Sequence, residues 1–139
     1  MTSEKDEVGN PATDHLMVVM SNAVPGREDE FNDWYTNAHI VDAVEKLPGF
    51  VAAQRYELSP TQFEPTQYRY LAIYRIPGDR LEEAQNSILF QRAERPKAIS
   101  EGRRPLLTVS DAMDEPHLCW YFSPITDETR SESPPAPLE

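Results

Sequence analysis

A single cysteine, Cys119, stands in this chain of 139 residues, so no disulfide can close within it. It falls in an apolar run of strand length, where a buried structural thiol is a better fit than a nucleophile. Glycine is scarce and scattered, at Gly9, Gly26, Gly49, Gly78 and Gly102. That excludes a glycine-rich phosphate loop, and no Gly-x-Ser-x-Gly elbow occurs either. The only histidines are His15, His39 and His117, no two at zinc-ligand spacing, so no metal site is expected. Cations are also few: 13 Lys and Arg stand against 24 Asp and Glu. The resulting charge of −11 argues against nucleic acid or an anionic membrane surface as the main partner. No apolar run approaches the length of a membrane span, and the acidic beginning is unlike a secretory signal; the expectation is a cytoplasmic protein.

What remains is ordinary for one soluble domain with a core of its own: 39% hydrophobic and 27% charged residues. Much of the net charge is terminal. Glu4, Asp6, Glu7 and Asp14 face only Lys5 at one end, and Asp127, Glu128, Glu132 and Glu139 face only Arg130 at the other. Residues 1–13 are expected to be a flexible lead, 14–126 the folded domain, and 127–139 an acidic, proline-rich tail.

The most informative stretch is VPGREDEFNDWYTNAHIVDAVEKLPGFVAAQRYE, residues 24–57. Pro25-Gly26 makes an entry, Glu28, Asp29 and Glu30 favour a helix N-terminus, Lys46 suits the last turn, and Pro48-Gly49 ends it. One long helix is expected, followed by a strand over 50–58. On a helical wheel Phe31, Trp34, Tyr35, Ala38 and Val41 share an apolar face. Beside it runs a polar stripe of Asn32, Tyr35, His39 and Asp42, at spacings that let neighbours touch. An imidazole beside a phenol and a carboxylate suits acid–base chemistry in a pocket. The same stripe also fits a half-buried histidine with a satisfied hydrogen bond.

Around this stretch the periodicity changes from element to element. HLMVVMS, residues 15–21, is apolar throughout and fits a strand covered on both faces. Ser59 to Thr66 carries two prolines and suits a hairpin loop. Residues 68–76 alternate clearly, with Tyr68, Tyr70, Ala72, Tyr74 and Ile76 on one face; three tyrosines there suit a half-wet packing surface or a pocket for a flat ligand. A second helix is expected from Leu81 to about Ala93, ended or bent at Arg95-Pro96. Residues 92–104 are locally basic, fit either to hold an anionic substrate group or, more simply, to pair with neighbouring carboxylates. Leu106, Leu107 and Val109 suggest an irregular segment packed on something else, another subunit included. LCWYF, 118–122, closes the series. The order β-α-β-β-α-β predicts a ferredoxin-like α+β sandwich. Strands apolar on both faces predict that its open sheet face pairs with a second copy.

The run from DWYTNAH to LPGFVAAQRYEL resembles the EthD-like members of the dimeric α+β barrel superfamily, through Trp34, Tyr35, His39, Leu47, Pro48, Gly49, Phe50, Arg55 and Tyr56. The resemblance implies a dimeric α+β barrel, a homodimer, and a pocket for a small hydrophobic or aromatic substrate. Within that frame His39, Tyr35 and Asp42 are the expected catalytic residues, and Trp34, Arg55, Tyr70 and Tyr74 the expected substrate-binding ones. The expected chemistry is cofactor-free acid–base catalysis: isomerisation, cyclisation, dehydration or decarboxylation. The alternatives are a binding protein for a hydrophobic metabolite and a monooxygenase driven by the substrate's own electrons. Haem ligation through His39, known among relatives, has no specific support in these residues.

Overall fold

The computed structural model describes residues 10–139. In chain order it contains β1 (His15–Ser21), α1 (Glu28–Trp34), a π-helical turn (Tyr35–His39), α2 (Ile40–Lys46), β2 (Ala52–Glu57), β3 (Tyr70–Ile76), α3 (Leu81–Ser100) and β4 (Leu118–Phe122). The strands form one antiparallel sheet in the order β2-β3-β1-β4. This is the ferredoxin-like α+β sandwich that the order of elements predicts. Of the lead expected over 1–13, residues 1–9 lie outside the described residues. Asn10 begins a turn in which its carbonyl accepts from the Thr13 and Asp14 N–H groups.

Side-chain alternation sorts the sheet into two unlike faces. Met17 lies opposite Tyr74 and Tyr121, and Val19 opposite Ala72 and Cys119; these residues face the helices. Tyr70, Ala72, Tyr74 and Ile76 are all buried there. The other face carries Leu16, Val18, Met20, Leu71 and Ile73, flanked by Tyr56, Trp120 and Phe122, which are 43%, 50% and 49% exposed. It is apolar and, in the single chain, uncovered.

Two expectations about the helices need correction. The first helix is not continuous α-helix, because YTNAH forms a π turn. One extra residue in the turn advances the phase of everything after it. Inward positions therefore run through Tyr35, Ala43 and Leu47, all buried, while Val41, expected on the apolar face, is 38% exposed. The second helix does not stop at Pro96 but runs to Ser100. Pro96 removes one internal hydrogen bond, and the turn beyond it holds for two reasons. Ala98 is fully buried, and Gly102, at φ +71°, closes the end: its N–H bonds the Ile99 carbonyl and the Arg103 N–H the Ala98 carbonyl.

The α2–β2 corner is fixed by Gly49, whose φ is +98° and whose missing Cβ would meet the Ala84 backbone at 2.7 Å. A side chain fails there on both counts. Ser87 of α3 donates its hydroxyl to the Pro48 carbonyl beside it at 2.7 Å. The strands begin later than alternation predicts, at Ala52 and Tyr70, but the ladder runs on through Val51 N–H to Arg75 O and Leu58 N–H to Arg69 O. From α3 the chain crosses back without regular structure, over 101–117. It packs on its own chain through Leu107 and Ala112, both buried. The Val24 N–H bonds the Ala112 carbonyl, the Asp114 N–H bonds the Asn22 carbonyl, and Glu94 accepts from the Leu106 N–H. Residues 127–139 form no helix or strand and are exposed. Among the described residues no helix is long and apolar enough to cross a membrane.

Candidate functional site

Between the helix-facing side of the sheet and the segment 101–117 lies a cavity of about 410 Å³. Such a volume suits a small organic molecule. Met17, Val19, Tyr74 and Cys119 form its sheet wall, and Trp34, Tyr35, His39 and Ala43 its helical wall. α3 contributes Ile88, Gln91, Arg92 and Arg95, while Leu107, Ser110 and Met113 come from the crossing segment. Asp114, Glu115 and His117 also line it.

The π turn makes the helical wall. In an α-helix, at about 100° per residue, side chains five apart point roughly 140° away from each other. Here Trp34 and His39, five apart, stack with ring centroids 4.6 Å apart and planes 28° off parallel. Tyr35 meets the same imidazole edge-on at 5.0 Å. The Trp34 indole N–H donates to the Thr108 carbonyl at 3.1 Å, which ties the stack to the crossing segment. The Tyr35 and Tyr74 hydroxyls meet at 3.3 Å, and burial pushes both phenols above their ordinary pKa, Tyr74 furthest.

His39 is the unusual group. Burial lowers its pKa from 6.5 to about 4; the Thr108 backbone and Asp42 oppose that shift, and the positive charges of Arg95 and Arg55 add to it. The imidazole is therefore neutral at pH 7. Its Nδ1 is buried without a hydrogen-bond partner. In the neutral imidazole one ring nitrogen carries the proton and the other a free lone pair. A buried polar atom left unpaired in a cavity wall costs stability, which most structures avoid.

The other expected residues divide. Trp34, Tyr35, His39 and Tyr74 line the cavity together. Asp42 does not, because the π turn puts Ala43 in the inward position. Its carboxylate accepts from the Thr108 N–H at 2.9 Å and hydroxyl at 2.6 Å, and pairs with Lys46 at 3.3 Å. Burial pulls its pKa up, and those hydrogen bonds overcome it and hold it below the ordinary value. Asp42 thus anchors the crossing segment. Arg55 and Tyr70 also stand outside the cavity wall. The Arg55 guanidinium lies 4.5 Å from the Tyr35 ring centroid, 5.4 Å from Phe31 and 5.5 Å from Tyr70. It donates to Asn32 Oδ1 at 2.9 Å and Thr36 Oγ1 at 2.8 Å, while Asn32 Nδ2 donates to the Tyr70 hydroxyl at 3.2 Å.

Sequence reasoning missed α3 as a cavity wall. Ile88, Gln91, Arg92 and Arg95 sit at i, i+3, i+4 and i+7, the spacing of one helix face. Three of the four are polar, so no hydrophobic stripe marks them, and the expected helix end at Ala93 hid the rest. Among the described residues no group of three or more His, Cys, Asp or Glu is arranged to hold a metal ion.

Fold and site together define an α+β sandwich with an aromatic-walled cavity of small-molecule size. No protein-family model matches the chain. A stretch of 49 residues, 35% of the chain, is 41% identical to core atranone cluster protein 1 of Stachybotrys chlorohalonatus (strain IBT 40285), and spans only 19% of that relative. Solved structures similar to this chain include an ethyl tert-butyl ether D (EthD) family protein from Bacillus halodurans, of the family the sequence resembles. It is 11% identical, with TM-score 0.43, over 81% of this chain and 98% of that one. A protein of unknown function from Nitrosomonas europaea is similar at 15% identity and TM-score 0.48, over 88% of this chain and 99% of that one. A monooxygenase from the gene ActVA-Orf6 of Streptomyces coelicolor, in complex with nanaomycin D, is similar at 14% identity and TM-score 0.45, over 93% and 100%.

Proposed function

We propose that this protein is a cofactor-free enzyme that moves a proton on a small apolar or aromatic metabolite, with His39 as the proton-transfer residue. The observation that carries this reading is the neutral imidazole in the cavity wall with an unpartnered Nδ1. At neutral pH its lone pair is present in every molecule. A base with a pKa near 4 holds a proton poorly on its own. It holds one far better when the group that lost the proton is an anion beside it, because opposite charges attract strongly where water is excluded. The chemistry this favours is removal of an acidic proton next to a carbonyl or ring hydroxyl and its return elsewhere, the common step of isomerisation, cyclisation and dehydration. Tyr35 and Tyr74, neutral with pKa values above the ordinary, act as hydrogen-bond donors.

The apolar open face of the sheet is, in the same reading, the surface on which two copies pair. Light scattering at micromolar concentration checks it, with a dimer expected and a monomer contradicting it.

The catalytic test is His39→Ala. The variant is expected to fold and to lose about two to four orders of magnitude in turnover, the usual worth of a placed proton-transfer group. Tyr35→Phe, which keeps the ring, is expected to lose less. Unchanged turnover in the alanine variant would end the proposal. A second reading, a carrier that binds the metabolite unchanged, is favoured by one observation: Nδ1 is buried and has no exposed surface. A carrier requires only the apolar walls, and its binding would survive His39→Ala.

A further inference from the structure

We propose that the cavity takes an amphipathic carboxylate, with the apolar body against the aromatic wall and the acid group held by Arg92 and Arg95. This deepens the function proposed above and rests on the same cavity. α3 changes character along one face: Ala84 and Ile88 are buried and apolar, Gln91 follows, and Arg92 and Arg95 are cationic. The stripe meets two different walls. Arg95 lies near enough to His39 to add to the lowering of its pKa, and Arg92 near enough to Cys119 to oppose the rise that burial causes. Both arginines line the cavity, from positions three apart on one helix face.

Neither has a carboxylate partner among the described residues, although acidic groups are abundant. Arg27, Arg69, Arg80, Arg103 and Arg130 all form ion pairs. Arg55, Arg75 and Arg104 form none among the described residues either, but of the five arginines without an ion pair only Arg92 and Arg95 line the cavity. Asp114 and Glu115 also line the space. The Asp114 carboxylate accepts from the Glu115 N–H at 3.1 Å, and Glu115, like Arg92 and Arg95, is exposed. Arg55, Arg92 and Arg95 are among the leading influences on His39, Tyr35, Tyr74 and Cys119, and neither acid is. Planar guanidinium groups suit a carboxylate, which each can bind through paired N–H donors.

The experiment is calorimetric titration of the full chain with 2-naphthoate and with its methyl ester, which share the apolar body and differ in charge. The acid is expected to bind about tenfold or more tighter than the ester, the worth of a hydrogen bond to a charged group. In an Arg92→Gln/Arg95→Gln double variant that preference should vanish while the ester binds as before. His39→Gln should keep it, so a failed catalytic reading and a failed anion site give different results. Equal binding of acid and ester, a preference that survives in the double variant, or no binding of either at millimolar concentration would each overturn the proposal.

Discussion

Tyr35 has two sides, and they are built differently. On one, Arg55 sits among Phe31, Tyr35 and Tyr70 with its donors placed on Asn32 and Thr36. On the other, His39 shares a cavity with Arg92 and Arg95, and neither the imidazole Nδ1 nor the two guanidinium groups has found a partner of its own kind. Both sides hold aromatic rings and cations. The Arg55 side has the composition of a site and the bonding of a joint. The His39 side leaves its polar groups unspent, which is what binding a further molecule requires. Composition alone does not tell the two sides apart, and satisfaction of polar groups does.

Stability measurements can break this comparison. The largest effect is expected from pH. The folded pKa of His39, about 4, lies below its unfolded value of 6.5. Its contribution to stability is complete above pH 6.5 and is lost as the pH falls through about 4, because the unfolded chain takes the proton first. The loss amounts to about 3 kcal/mol from this group. Denaturant titrations at pH 7 and pH 4.5 should show that slope, and His39→Gln should flatten it. A slope unchanged in the variant would mean that His39 is not held neutral.

Next in size is Arg55→Ala, which removes the ring contacts and strands Asn32 Oδ1. It should cost about 1–3 kcal/mol by chemical denaturation. Arg95→Ala should change stability by less than about 0.5 kcal/mol, since no ion pair is lost. Equal costs at the two arginines would erase the distinction between joint and site. The smallest effect belongs to the tail: deleting residues 128–139, which are exposed and without helix or strand, should leave the melting temperature unchanged within a degree or so. A drop of several degrees would show that the tail packs.

The sequence disclosed the sheet well because strand alternation is a strict two-residue period, and the tyrosines of β3 obey it throughout. Gly49 and Pro48 marked their corner by chemistry no other residues share. The site was legible up to Trp34, Tyr35 and His39 and lost its register just after them. A π turn has no distinctive composition, so the wheel that placed Asp42 beside His39 carried a regular helix one residue too far. Arg55 was selected through the resemblance; it stands outside the cavity wall, bonded to Asn32 and Thr36. Arg92 and Arg95 were noticed for their charge, yet Pro96 argued for a helix end there. Only the burial of Ala98 and the closure at Gly102, both long-range facts, keep that turn helical.

The π turn also sets how this cavity can vary. A regular α-helix over the same residues would turn α2 by about 100° about its axis and pass the inward place from the Ala43 methyl to the Asp42 carboxylate, beside the imidazole. The residue that the turn absorbs therefore keeps a neutral imidazole in the wall in place of a histidine–aspartate pair, and how this helix is wound is a matter of chemistry before it is a matter of shape.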